Sequence, residues 1–204
     1  SRMMSRVSHK AGMKRRISIM GIAHIWGILM VSATFVMEPA MPAHAKNAHD
    51  VTFENIDGGT LDLADYRGKV ILLVNTASQC GFTPQYKALQ ALWESYRARG
   101  LVVIGVPSND FGGQEPGANT QIKQFCDINY GIDFPMTEKV SATGPDMHPY
   151  YQWVSKAGGK LAMPRWNFYK HLIDTEGNFV TWFASTTAPD AQKIRNAIEK
   201  LLPN

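Results

Sequence analysis

Apolar and polar positions along the chain fall into two kinds of run, and their alternation predicts a single α/β domain from about residue 50 onward. Residues 51–56 and 60–63 flank Asp57-Gly58-Gly59, a turn signal that predicts an N-terminal β-hairpin. Residues 70–74 (VILLV) and 101–106 (LVVIGV) are apolar throughout, as in strands covered on both faces. Between them Leu89, Leu92, Trp93 and Tyr96 recur at i, i+3, i+4 and i+7, which predicts an amphipathic helix over 84–99 closed by Gly100. After a Gly- and Pro-rich loop over 107–117, Ile122, Phe125 and Cys126 share one face of a second helix, and Phe134-Pro135 breaks the pattern. A short helix over 149–157, strands over 168–174 and 179–183 around Glu176-Gly177-Asn178, and a closing helix marked by Ile194, Ala197, Ile198 and Leu201 complete the series.

The turn after the first buried run changes the picture most. Thr83 and Pro84 read as an N-cap followed by the first helical position, so Cys80 sits just ahead of a helix start. Free backbone N–H groups and the positive end of the helix dipole favour a thiolate over a thiol there. The blander reading is a small buried cysteine in a turn, although Ser78, Gln79 and Gly81 leave it few apolar neighbours in sequence. Strand, cysteine turn, helix, strand, helix, then a terminal hairpin and helix is the order of a thioredoxin-like fold: a central mixed sheet flanked by helices, with the N-terminal β-hairpin as an addition. Cys80-Gly81-Phe82-Thr83 occupies the usual C-x-x-C position. With threonine as its last residue, disulfide exchange within this turn is excluded and a lone nucleophile is expected.

Composition narrows the function classes. The 204 residues carry a net charge of +4, but residues 1–45 hold six of the 21 Lys and Arg and one acid, Glu38. Residues 46–204 therefore hold 15 basic and 16 acidic residues, and nothing suggests a nucleic-acid partner. Two cysteines exclude a four-ligand structural zinc site and a disulfide-stapled miniprotein.

The leader itself reads as an export signal spanning residues 1–45. Lys14, Arg15 and Arg16 form a positive region, residues 17–37 are uncharged and apolar, and Ala43-His44-Ala45 is an A-x-A cleavage pattern. Residues 1–12 read as an upstream extension, with Met13 as the start. The expectation is an exported, periplasmic domain over 46–204. The alternative is an uncleaved anchor facing the periplasm, since the apolar stretch is long enough to span a bilayer. Ser18 interrupts the apolar residues that a twin-arginine signal needs after Arg15-Arg16.

Three further segments, VNTASQCGFTPQY (74–86), NDFGGQEPG (109–117) and WNF (166–168), occur in order and resemble the signatures of the glutathione peroxidase family from about residue 51 to 202. The resemblance implies a thioredoxin-like fold and reduction of hydrogen peroxide and organic or lipid hydroperoxides by a peroxidatic cysteine, here Cys80. The family's active-site Gln, Trp and Asn fall on Gln114, Trp166 and Asn167. No bound metal or organic cofactor is implied, only an external reductant, either a thioredoxin-like dithiol protein or glutathione. Side-chain amides and an indole N–H donate hydrogen bonds to a thiolate and to a developing oxyanion without titrating near neutral pH. Taken singly, Gln114 reads as a surface amide, Trp166 as core and Asn167 as a turn residue. One departure is VPSND at 106–110, where relatives commonly read F-P-C-N-Q, a change that bears on substrate detail more than on reaction.

Cys126 lies where thioredoxin-dependent members keep a resolving cysteine, so the resemblance implies a Cys80–Cys126 disulfide. Helical spacing with Ile122 and Phe125 instead predicts a core thiol. Both readings stand if the helix opens locally, since a disulfide needs Cα atoms within about 7 Å. Tetrameric members carry a longer insertion before WNF than residues 155–165 provide, which implies a monomer. His148 and His171 read as surface or satisfied core histidines, and Gly112 and Gly113 as turn glycines without a phosphate-binding pattern. The alternative to an enzyme is an exported thioredoxin-fold protein whose cysteines are structural or sense oxidation.

Overall fold

The computed structural model describes residues 45–203; the predicted leader, apart from Ala45, lies outside the described residues. A hairpin of β1 (Thr52–Glu54) and β2 (Thr60–Asp62) precedes a four-stranded sheet. The sheet has the order β4-β3-β5-β6, with β3 Val70–Thr76, β4 Leu101–Pro107, β5 Lys170–Ile173 and β6 Phe179–Phe183. β3 and β4 run parallel, joined by the crossover helix α1 (Gln85–Tyr96), while β5 pairs antiparallel with β3 and with β6. This is the expected thioredoxin-like fold with its mixed sheet and its N-terminal hairpin.

All seven residues of β3 and of β4 are buried, because helices cover both faces. With side chains alternating across the pleat, Val70, Leu72 and Val74 pack with Leu89 and Leu92 of α1, Ile122 and Cys126 of α2 (Asn119–Tyr130), and Ile194 and Ile198 of α4 (Gln192–Glu199). Ile71 and Leu73 face the other layer with Phe53, Leu61 and residues Tyr150, Tyr151 and Val154 of α3 (Pro149–Ala157). Each such aliphatic side chain contributes about 1.5–3 kcal/mol relative to exposure.

Helix ends largely follow their sequence signals. Gly100 and Gly131 sit in the left-handed region and close the segments before them. One signal is corrected: α1 begins at Gln85, Pro84 holds the N-cap position, and Thr83 does not cap the helix. Among the described residues, no helix is long and apolar enough to cross a membrane.

Candidate active site around Cys80

Thr83 closes the turn that carries the cysteine. Its hydroxyl accepts the Cys80 N–H at 2.9 Å and donates to the Ala77 carbonyl at 2.8 Å, so the loop is pinned to the end of β3. Cys80 is only 7% exposed, and the Phe82 N–H donates to its sulfur at 3.4 Å. Both cysteines are free thiols.

Two other loops meet this turn. The Gln79 N–H donates to the Gln114 carbonyl at 3.0 Å, joining the turn to the loop after β4. Asn167, fully buried, donates from Nδ2 to Gln114 Oε1 at 2.9 Å and to the Phe111 carbonyl at 3.2 Å. Its Oδ1 is buried without a partner among the described residues. Trp166 is 39% exposed and lies against Gly112, where a Cβ would meet indole Cη2 at 2.9 Å. Gln114, Asn167 and Trp166 are thus gathered around the meeting of these loops, while the hydrogen bond to the sulfur comes from Phe82.

Sequence reasoning missed the residue that holds this arrangement. Asn75, buried in β3, donates from Nδ2 to the Trp166 carbonyl at 3.0 Å and accepts the Tyr169 N–H on Oδ1 at 2.9 Å. Its carbonyl accepts the Phe168 N–H at 2.7 Å. Phe168 has φ 64°, strained for an aromatic residue, and strained backbone of this kind persists where the surroundings over-determine it. The available signal was an amide inside an apolar strand, since a buried amide needs partners. Glu115 was also missed. It is 1% exposed, accepts from Ser78 Oγ at 3.1 Å, and burial raises its pKa.

Two hollows flank the turn. A cleft of about 450 Å³ is bordered by Gln79, Glu115, Pro116, Gln121, Ile122 and Phe125. A shallower one of about 250 Å³ is lined by Phe82, Trp166, Tyr169, Ala184, Ser185 and Thr186, and is mostly apolar. Asp110, one of the sequence departures, accepts the Ala142 N–H at 2.6 Å and the Thr143 N–H at 3.0 Å, so it anchors a neighbouring turn.

Cys126 is fully buried in the middle of an intact α2, and burial pushes its thiol up to about 11. The Tyr86 hydroxyl, fully buried on α1, lies beside this thiol and the Thr76 hydroxyl. Among the described residues, neither hydroxyl forms a hydrogen bond of good geometry. Both histidines are satisfied: His148 Nδ1 accepts the Tyr150 N–H at 3.2 Å, and His171 contacts Tyr150 Oη at 3.1 Å and the Ala162 carbonyl at 2.8 Å. Among the described residues, no group of three or more His, Cys, Asp or Glu is arranged to hold a metal.

Residues 48–155 match the sequence model of the family described as glutathione peroxidase. The chain is 44% identical over 171 residues to a hydroperoxy fatty acid reductase of Synechocystis, covering 79% of this chain and all of that protein. It is 43% identical over 158 residues to a glutathione peroxidase of Lactococcus lactis, covering 76% of this chain and 99% of that one. Among solved structures, it resembles that of Trgpx in apo form, with a TM-score of 0.61 and 35% identity over 78% of this chain and 99% of the other.

Proposed function

The chain belongs to the glutathione peroxidase family, and we propose that it reduces hydroperoxides through Cys80, with Gln114, Trp166 and Asn167 as hydrogen-bond donors and Cys126 as the resolving thiol. Membership makes it a peroxidase-type oxidoreductase and sets aside the non-enzymatic alternative. One observation carries the assignment of roles. The cysteine turn is joined through Gln79 to the carbonyl of Gln114, whose side chain is bonded in turn to Asn167.

In the first step the Cys80 thiolate attacks the nearer peroxide oxygen, the O–O bond breaks, and the leaving oxygen takes a proton to depart as water or an alcohol. Cys80 is oxidised to a sulfenic acid and the peroxide is reduced by two electrons. Before peroxide arrives the sulfur accepts from the Phe82 N–H, and the Asn167 amide donates to Gln114 and Phe111, so in this reading the proposed side-chain donors turn to the leaving oxygen as charge develops on it. In the second step the Cys126 sulfur attacks the Cys80 sulfenic acid, forming the disulfide and releasing water. Because Cys126 is fully buried, release of its side chain from the α2 core precedes this attack. A thioredoxin-like dithiol then reduces the disulfide and is itself oxidised; glutathione is the alternative donor.

The apolar hollow beside Trp166 suits an acyl chain, and the Synechocystis relative is named for hydroperoxy fatty acids. We therefore include lipid hydroperoxides with hydrogen peroxide and other organic hydroperoxides as substrates. The protein acts as an exported, periplasmic monomer, whose donor must be kept reduced outside the cytoplasm. A peroxide-consumption assay with hydrogen peroxide and cumene hydroperoxide tests the reading. Wild type is expected to turn over both, and a Cys80→Ser variant neither; equal rates for the two proteins contradict it.

A further inference from the structure

Lys170 opens β5, is fully buried, and meets no carboxylate among the described residues. Its Nζ donates to three uncharged oxygens: Gln85 Oε1 at 2.6 Å, the Thr187 carbonyl at 2.7 Å and the Phe168 carbonyl at 2.8 Å. An ammonium has three N–H donors, so each is matched. Across the sheet its partners are Val74 and Phe183, neither charged, and Lys193 Nζ lies 5.7 Å from the Phe183 ring. Burial alone lowers the Lys170 pKa, to about 7. A buried charge without a counter-charge is expensive, and an apolar side chain fills such a position at lower cost. The convergence of three acceptors needs another reason.

Two of those acceptors belong to the two halves of the active site, and the third, Thr187, lies in the segment between β6 and α4. Gln85 is the first residue of α1, the helix that follows the cysteine turn, and Phe168 is the strained residue directly after Asn167. The network closes on itself: Gln85 Nε2 donates to the Ser185 carbonyl at 2.6 Å, and Ser185 Oγ donates to the Asn167 carbonyl at 2.5 Å. We infer that Lys170 is a positioning residue for the peroxidatic step, its ammonium fixing the 166–168 turn against the start of α1 and so placing the Asn167 amide relative to Cys80. The inference rests on the peroxidase reading above. It adds a residue that touches neither the sulfur nor the peroxide.

The test combines kinetics with a spectroscopic signature. In Lys170→Met the second-order rate constant for Cys80 oxidation is expected to fall about 10- to 100-fold, the scale of a small misplacement of reacting groups. In wild type, losing the proton leaves two N–H donors for three oxygens. The Asn167 side-chain amide NMR signal is therefore expected to shift with pH through about 7, and in Lys170→Met this titration is absent. A folded Lys170→Met with the wild-type rate constant and an Asn167 signal that titrates as before overturns the inference. Should that variant not fold, Gln85→Leu removes one acceptor and the link to Ser185, and an unchanged rate constant in it has the same force. If wild-type Cys80 is inert to peroxide, the peroxidase reading fails, and the Asn167 titration alone decides whether Lys170 holds the turn.

Discussion

Asn167 Nδ2 donates to Gln114 Oε1 across 2.9 Å, so two amides from loops far apart in sequence act as one unit beside the cysteine turn. Removing Gln114 leaves Asn167 Nδ2 with the Phe111 carbonyl alone, and removing Asn167 takes this donor from Gln114 Oε1. Gln114→Ala and Asn167→Ala are each expected to slow Cys80 oxidation by about 10²-fold, with the double variant little worse than either single one. Stopped-flow kinetics on the three variants checks this, and strictly additive losses would mean that the two side chains act independently.

Gly112 tests the placement of the indole. Its φ of 73° and the 2.9 Å approach of Trp166 Cη2 to an added Cβ both oppose a side chain there. Gly112→Ala is expected to displace the indole and lower the rate of Cys80 oxidation about tenfold or more, at a stability cost of about 1–3 kcal/mol for the strained backbone. The rate constant and a urea unfolding curve, measured together, report both effects.

Acid stability follows from His171. Its Nε2 donates to the Ala162 carbonyl and its Nδ1 accepts from the Tyr150 hydroxyl, so the ring is held neutral. Burial lowers its pKa from 6.5 to about 4. The folded state therefore binds fewer protons than the unfolded chain between these values. Stability that is present above pH 6.5 is lost as pH falls toward 4, by up to about 3 kcal/mol at 1.36 kcal/mol per unit. Urea unfolding of wild type and His171→Gln at neutral pH and near pH 4 is expected to show the larger acid loss in wild type.

Tyr86 governs the seat of Cys126. An unpaired buried hydroxyl costs about 1–3 kcal/mol, and the Tyr86 hydroxyl, which lies beside the buried thiol and the Thr76 hydroxyl, finds no well-aligned partner among the described residues. Tyr86→Phe is expected to stabilise the reduced protein and to slow Cys126 release, lowering the rate of disulfide formation about tenfold while Cys80 oxidation is unchanged. Separate rates for sulfenic acid and disulfide formation check this; faster or unchanged disulfide formation contradicts it.

The sheet and its helices were legible because apolar periodicity records which faces are covered. The buried runs at 70–74 and 101–106 and the spacing of Ile122 with Cys126 each reappear in the core. What escaped depends on contacts between distant residues. Thr83 looked like a helix cap from its neighbours, yet its hydroxyl bonds the Cys80 N–H and the Ala77 carbonyl. Asn75 works through Trp166 and Tyr169, 91 and 94 residues away, and Lys170 reaches back 85 residues to Gln85, contacts that no local pattern encodes. The left-handed backbone at Phe168 is imposed by that same packing, and an aromatic residue gives no hint of it.

The central claim is that Cys80 is the peroxidatic sulfur and Cys126 its resolving partner. Mass spectrometry of the reduced protein after one equivalent of peroxide tests it most directly. The account predicts an intramolecular Cys80–Cys126 disulfide, reduced by a thioredoxin-like dithiol protein faster than by glutathione. A Cys80 sulfinic acid with Cys126 still a free thiol would contradict the two-cysteine mechanism and leave glutathione as the donor.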